Sequence, residues 1–142
     1  MQSREKDNLI IGRLFPGEEV VESLRGICQK HQVETAVVVS GLGQLANFKL
    51  GFFKEKGNYL PQDFNQSHEL LALTGNISLQ KEGYDFHLHV VLGDADKKVV
   101  GGHFIEGLVS VTAEIVLLKT KLKIKRQTEE KTGLKGLFLE EP

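Results

Sequence analysis

The chain has no tryptophan, one cysteine, one methionine and three prolines in 142 residues, and no excess of either charge. Each shortage removes a class of reading. With Cys28 as the single thiol there can be no internal disulfide, and nothing else in the composition points to an oxidising compartment. With 18 lysines and arginines against 19 acidic residues, the net charge of −1 lacks the strong positive field behind sequence-independent nucleic-acid binding, although a local basic patch stays open. No apolar run approaches the roughly 18 residues of a spanning helix, and the start MQSREKDNLIIG has no signal-length apolar region. The expectation is a soluble cytoplasmic protein with no membrane partner.

What is present suits one domain over residues 1–142. At 40% hydrophobic content, a chain of this length can bury about two-thirds of the surface it exposes when unfolded. Leu9 to Phe15 reads as a short strand after a polar start. Pro16-Gly17-Glu18-Glu19 then places proline and acidic residues where a first helical turn favours them. A helix over about 17–31 comes next, with Val20, Leu24, Ile27, Cys28 and His31 on one stripe. On that stripe Cys28 reads as an inert core thiol, and His31 as a group acting on the helix C-terminus.

From Thr35 the period becomes that of strands. The runs are 36–40, 48–53, 70–73, 76–80, 86–92, 99–104 and 108–118; in the last, Val109, Val111, Ala113, Ile115 and Leu117 share one face. Residues 61–66 read as an exposed loop. The tail after Thr128 is charged, with Leu134, Leu137 and Leu139 able to dock back. One principal amphipathic helix and six or more strands with hairpin-length connections give an α+β fold built on a mainly antiparallel sheet.

Chemistry concentrates on His87, His89 and His103. Residues i and i+2 of a strand face the same way, so His87 and His89 share a face, and a hairpin supplies the third ring. Centring the turn on Ala95 sets Leu92 opposite Lys98, His87 opposite His103, and His89 opposite Gly101. A slip of one residue would turn His103 to the other face, where Phe86, Leu88, Val90, Leu92, Val100 and Phe104 form a core set; burial therefore enforces the parity. Three imidazoles without a thiolate fit a divalent cation, zinc first, with nickel, copper and iron(II) compatible. A vacant fourth position would hold water, the arrangement for metal-assisted hydrolysis. Glu114 and Glu69, charged residues in apolar strands, are candidates for a carboxylate oriented towards the ion or for a general base, against the plainer reading of ordinary ion pairs. His68, beside Glu69, carries no site assignment.

Two other patterns invite function. Gly41-Leu42-Gly43-Gln44-Leu45-Ala46 matches a loose dinucleotide-binding fingerprint, but Asn47 to Phe53 alternates as a strand does instead of opening a helix, so a glycine-rich strand connection is the better account. Lys119, Lys121, Lys123, Lys125 and Arg126 place five positive charges in eight residues. Read as a strand, they form a basic stripe, either a charged edge that prevents aggregation or a contact for DNA. No aromatic residue is interleaved with them, which argues against a single-strand stacking platform.

PGEEVVESLRGIC, VVVSGLGQLANFKLGFF, HELLALTGNISL, HLHVVLGDAD, VVGGHFIEGLVSVTAEIVL and, more loosely, TGLKGLFL succeed one another in the order of the plants and prokaryotes conserved (PPC) domain, which this chain resembles over nearly its whole length. The resemblance implies an α+β fold assembled as a homotrimer, and a metal held by the HxH and GGH histidines, here His87, His89 and His103. In plant proteins the domain accompanies AT-hook motifs. The minor-groove contact is attributed to the hook's Arg-Gly-Arg core, a tripeptide absent here. Three functions stay open: a homotrimeric metal-binding protein of unassigned role, a DNA-associated regulator using the basic stripe, and a metal-dependent hydrolase or lyase acting on a small molecule.

Overall fold

A computed structural model describes residues 1–139. The polar start is itself a strand: β1 (Gln2–Lys6) turns through Asp7 and Asn8 into β2 (Leu9–Leu14). Both turn residues have positive φ, 51° and 68°, the geometry of a two-residue turn matching the twist of its strands. The helix α1 (Val20–Lys30) is shorter at its start than its pattern predicts, because Pro16 to Glu18 remain outside it. Its cap is Glu19, whose Oε2 accepts from the Glu22 N–H at 2.7 Å. Val20, Leu24, Ile27 and Cys28 are buried, as their spacing requires. Burial pushes the Cys28 thiol up to about 12, an inert core group despite the opposing charge of Arg25.

The remaining strands are longer than the sequence suggests. They are β3 (Thr35–Glu55), β4 (Asn58–Phe64), β5 (His68–Gln80), β6 (Gly83–Gly93), β7 (Val99–Thr120), β8 (Ile124–Thr128) and β9 (Lys135–Leu139). Seven strands run β1-β2-β7-β6-β5-β3-β4, all antiparallel, and β3 also pairs with β7. That extra pairing closes β7, β6, β5 and β3 into a ring around the core. No helix among the described residues is long and apolar enough to cross a membrane.

Where separate strands were expected, bulges let one strand continue. The Gly41–Ala46 segment is not a connection but the middle of β3. Gly43, at φ 150°, lies so close to β7 that an added Cβ would meet the Thr112 carbonyl oxygen at 2.1 Å. The same irregularity sets Gly43 opposite Ala113 but Leu45 opposite Val109. Val111 therefore rides on the bulge and is 57% exposed, while the other four of its predicted face are buried. The loop expected over 61–66 is largely β4, and Pro61 is tolerated because β4 is the sheet's edge.

The basic run is not one strand. Strand β7 ends at Thr120, residues 121–123 leave the ladder, and β8 pairs with β9 in a separate two-stranded sheet. Leu134, Leu137 and Leu139 stay exposed on that hairpin rather than docking back into the core.

Candidate metal centre

Strands β6 and β7 bring the histidines together, in a register two residues away from the expected one. His89, not His87, stands opposite His103, and Gly101 faces Val91. The cause is the turn, which takes in Asp94 to Lys98. The Lys97 N–H reaches the Asp94 carbonyl (3.0 Å), Lys97 adopts φ 68°, and Asp94 Oδ1 accepts from the Lys98 N–H at 2.8 Å. A two-residue shift preserves parity, so all three rings still point to the face away from the core. On the opposite face Leu88, Val90, Leu92 and Phe104 are buried, with Phe86 and Val100 packed against them.

The three ring centroids form a nearly equilateral triangle, 5.2, 5.5 and 5.4 Å on a side. One nitrogen from each ring lies within 4.8 Å of the others. His87 Nε2 and His89 Nε2 are 3.2 Å apart. Two tetrahedral bonds of about 2.0–2.1 Å span about 3.3 Å between nitrogens, so this pair is already spaced for a zinc-sized cation. Burial, the Arg126 charge and His89 hold the His87 imidazole below its ordinary range, with Asp85 opposing. Burial and the other two rings do the same to His103. Both are thereby kept neutral, the form that ligates.

The rings open on a cleft of about 810 Å³, lined by Phe53, Tyr59, Ile105 and Leu134. Tyr59 meets His103 edge-on at 6.1 Å and crosses Gly51, where any Cβ would collide with its ring. Arg126 and Lys135 reach the cleft from the β8–β9 hairpin. The Gln80 side chain pins β8 as a peptide group would, donating to the Ile124 carbonyl (3.0 Å) and accepting from the Arg126 N–H (3.2 Å). Arg126 Nη2 donates to Asn76 Oδ1, and Asn76 is the ladder partner of His87. Lys135 is paired with Asp85 at 3.2 Å.

Neither candidate glutamate joins this group. Glu114 is exposed, paired in register with Arg13 and Leu42, and lies eleven residues from His103, on the order of 35 Å of extended strand. Glu69 stands opposite Gly93, four residues along β6 from His89, on the order of 13 Å, and accepts from Gln44 Nε2 at 2.7 Å. His31 sits at the helix C-cap, its ring between Ser3 (2.9 Å) and Glu5 (3.2 Å). His68 is a buried group, edge-on to Phe48 at 5.0 Å and bonded to the Gln66 carbonyl. Of the basic run, Lys119 bonds Glu5 and the His31 carbonyl, and Arg126 turns towards the histidines. Sequence reasoning missed Arg126 and Tyr59 as neighbours of the triad, since both arrive on strands with no linear relation to it.

Comparison with known proteins agrees with this architecture. Residues 1–121 match the Plants and Prokaryotes Conserved (PCC) domain. The GlmU bifunctional proteins of two Synechococcus strains are 32% identical over 130 residues; this chain, 90% covered, spans about a fifth of their length. Among solved structures, a plant- and prokaryote-conserved protein of Pyrococcus horikoshii is 31% identical with TM-score 0.80, covering 95% of this chain and 93% of its own. A candidate DNA-binding protein of Bacteroides thetaiotaomicron is 25% identical with TM-score 0.90 and 96% coverage of both chains. A metal-containing protein of Archaeoglobus fulgidus is 25% identical with TM-score 0.83, covering 94% of this chain and 95% of its own. On the family match over residues 1–121 and the shared fold, the chain belongs to the Plants and Prokaryotes Conserved domain family.

Proposed function

We propose that this is a metal-binding protein whose divalent cation, zinc first by the chemistry of its donors, is held by His87, His89 and His103. The observation that carries the reading is convergence of three imidazoles, with nitrogens mutually within 4.8 Å, on one face of the β6–β7 ladder. The metal-containing relative from Archaeoglobus supports it. When bound, the ion would supply a Lewis acid with a coordination position open to the cleft. The protein's own contribution is to favour the neutral form of His87 and His103 and to keep an apolar wall beside the rings. Elemental analysis of untagged protein against His103→Ala tests this: about one metal per chain in the parent and a near-complete loss in the variant is expected, and equal metal in both refutes it.

The hydrolase or lyase reading loses the acid–base groups it named, since neither Glu114 nor Glu69 comes within reach of the clustered ring nitrogens. A DNA-associated role is supported by the description of the Bacteroides neighbour, yet the basic run that would carry it is divided between a strand end, a loop and β8. For assembly we adopt the homotrimer. The number three rests on the family resemblance; association itself is supported by an apolar stripe on the outer face, where exposed Leu118 stands between exposed Leu9 and Val37 in register, with exposed Ile11 beside them. Sedimentation equilibrium giving a monomer mass at micromolar concentration would remove that assembly.

A further inference from the structure

The cleft beside the histidines carries an unbalanced charge. Arg126 is half-buried there, its Nη2 fixed by Asn76, and its Nε–H is enclosed without an acceptor. No carboxylate among the described residues pairs with it, because Asp85, the acid lining the same cleft, is taken by Lys135. A half-buried guanidinium lacking a counter-ion is costly unless something else neutralises it. The surrounding walls are apolar and aromatic, and a volume of about 810 Å³ lies in the range of small-molecule sites.

We propose that the cleft binds a small organic monocarboxylate. Its charged end lies between the histidine-held cation and the Arg126 guanidinium, and its hydrocarbon portion packs against Tyr59, Ile105 and Leu134. This rests on the metal reading above and adds the class of ligand. A carboxylate is preferred to a phosphate because the cleft offers one unpaired basic side chain rather than several, and because a planar anion matches the guanidinium fork. Arg126 is then a specificity-determining residue. Gln80 and Asn76 position it, tying the β8–β9 hairpin to the strand beside His87.

The test uses cobalt(II)-loaded full-length protein, whose visible absorption reports the metal's coordination, titrated with benzoate, hexanoate, acetate and inorganic phosphate. Benzoate and hexanoate are expected to perturb the cobalt bands and to bind more tightly than acetate or phosphate. Arg126→Gln should weaken benzoate about 10- to 100-fold, the range for a lost charge-assisted hydrogen bond, while cobalt still binds at the three histidines and gives the parent's ligand-free band pattern. Arg126→Lys should fall between, since charge remains and the fork is lost. Gln80→Ala should weaken benzoate less than Arg126→Gln does. If cobalt itself fails to bind, the metal reading falls. If cobalt binds normally but benzoate affinity is unchanged in Arg126→Gln, or phosphate binds more tightly than benzoate, the metal reading stands and the carboxylate proposal is overturned.

Discussion

His89 stands directly across the β6–β7 ladder from His103, their ring centroids 5.4 Å apart and their planes at 82°. His87, one same-face step along β6, lies beyond the β7 pairing and is fixed instead through Asn76 of β5. The triad thus depends on two ladders, and disturbing either should be felt at the metal.

The β5 ladder can be tested at Gly75. It has φ 150°, and a Cβ there would lie 2.0 Å from the carbonyl oxygen of His87. Gly75→Ala therefore forces backbone apart at the base of a ligand. A loss exceeding about 1 kcal/mol in urea unfolding is expected, together with weaker metal binding than in the parent. Parent-like stability and metal content would mean that the close approach has no consequence.

Acid should act on the metal-free protein through the same rings. His87 and His103 have folded-state values below the ordinary 6.5. The unfolded chain therefore binds protons first as pH falls. Stability is complete above about pH 6.5 and declines as pH drops through the lowered folded values. Urea midpoints measured with chelator from about pH 8 to about pH 5 should show this, and His87→Gln with His103→Gln should flatten the slope. The same depression lets the rings hold metal to a lower pH than ordinary histidines would, which a competitive chelator titration across that range measures.

Burial of the opposite face is what keeps the rings together. Leu92 is fully buried on β6, and Leu92→Ala should cost about 2–5 kcal/mol by urea unfolding. A cost under about 1 kcal/mol would show that this face does not enforce the parity of the hairpin.

Glu19 caps α1 and also accepts from the Gly107 N–H at 3.2 Å, four residues along β7 from His103. Glu19→Ala should cost about 1 kcal/mol, with metal content unchanged, since the cap bonds none of the three histidines. A loss of metal in this variant would show that helix docking and the histidine site are coupled.

Legibility differed from element to element for physical reasons. Parity of side chains along β6 and β7 needs only the alternation of apolar residues, so the shared face of His87, His89 and His103 could be read directly. The register could not, because it turns on how Asp94 and Lys97 fold the loop between the strands. The breaks expected at Gly41–Ala46 and near Gly107 were misread because a glycine that permits a bulge looks in sequence like one that ends a strand. The first strand was missed since Gln2–Lys6 has a polar pattern and one buried side chain, Ser3.

The sequence by itself determined the inward stripe of the helix and the inward face of the histidine hairpin, that one amphipathic helix accompanies an antiparallel sheet, and that three imidazoles share a surface; each comes from local periodicity and burial. Only the tertiary structure decided that β3 closes on β7, that Glu69 and Glu114 stay out of reach of the clustered ring nitrogens, and that Arg126 leaves a basic run to line their cleft. Those are contacts between segments distant in the chain, and no local pattern of side chains encodes which of them will meet.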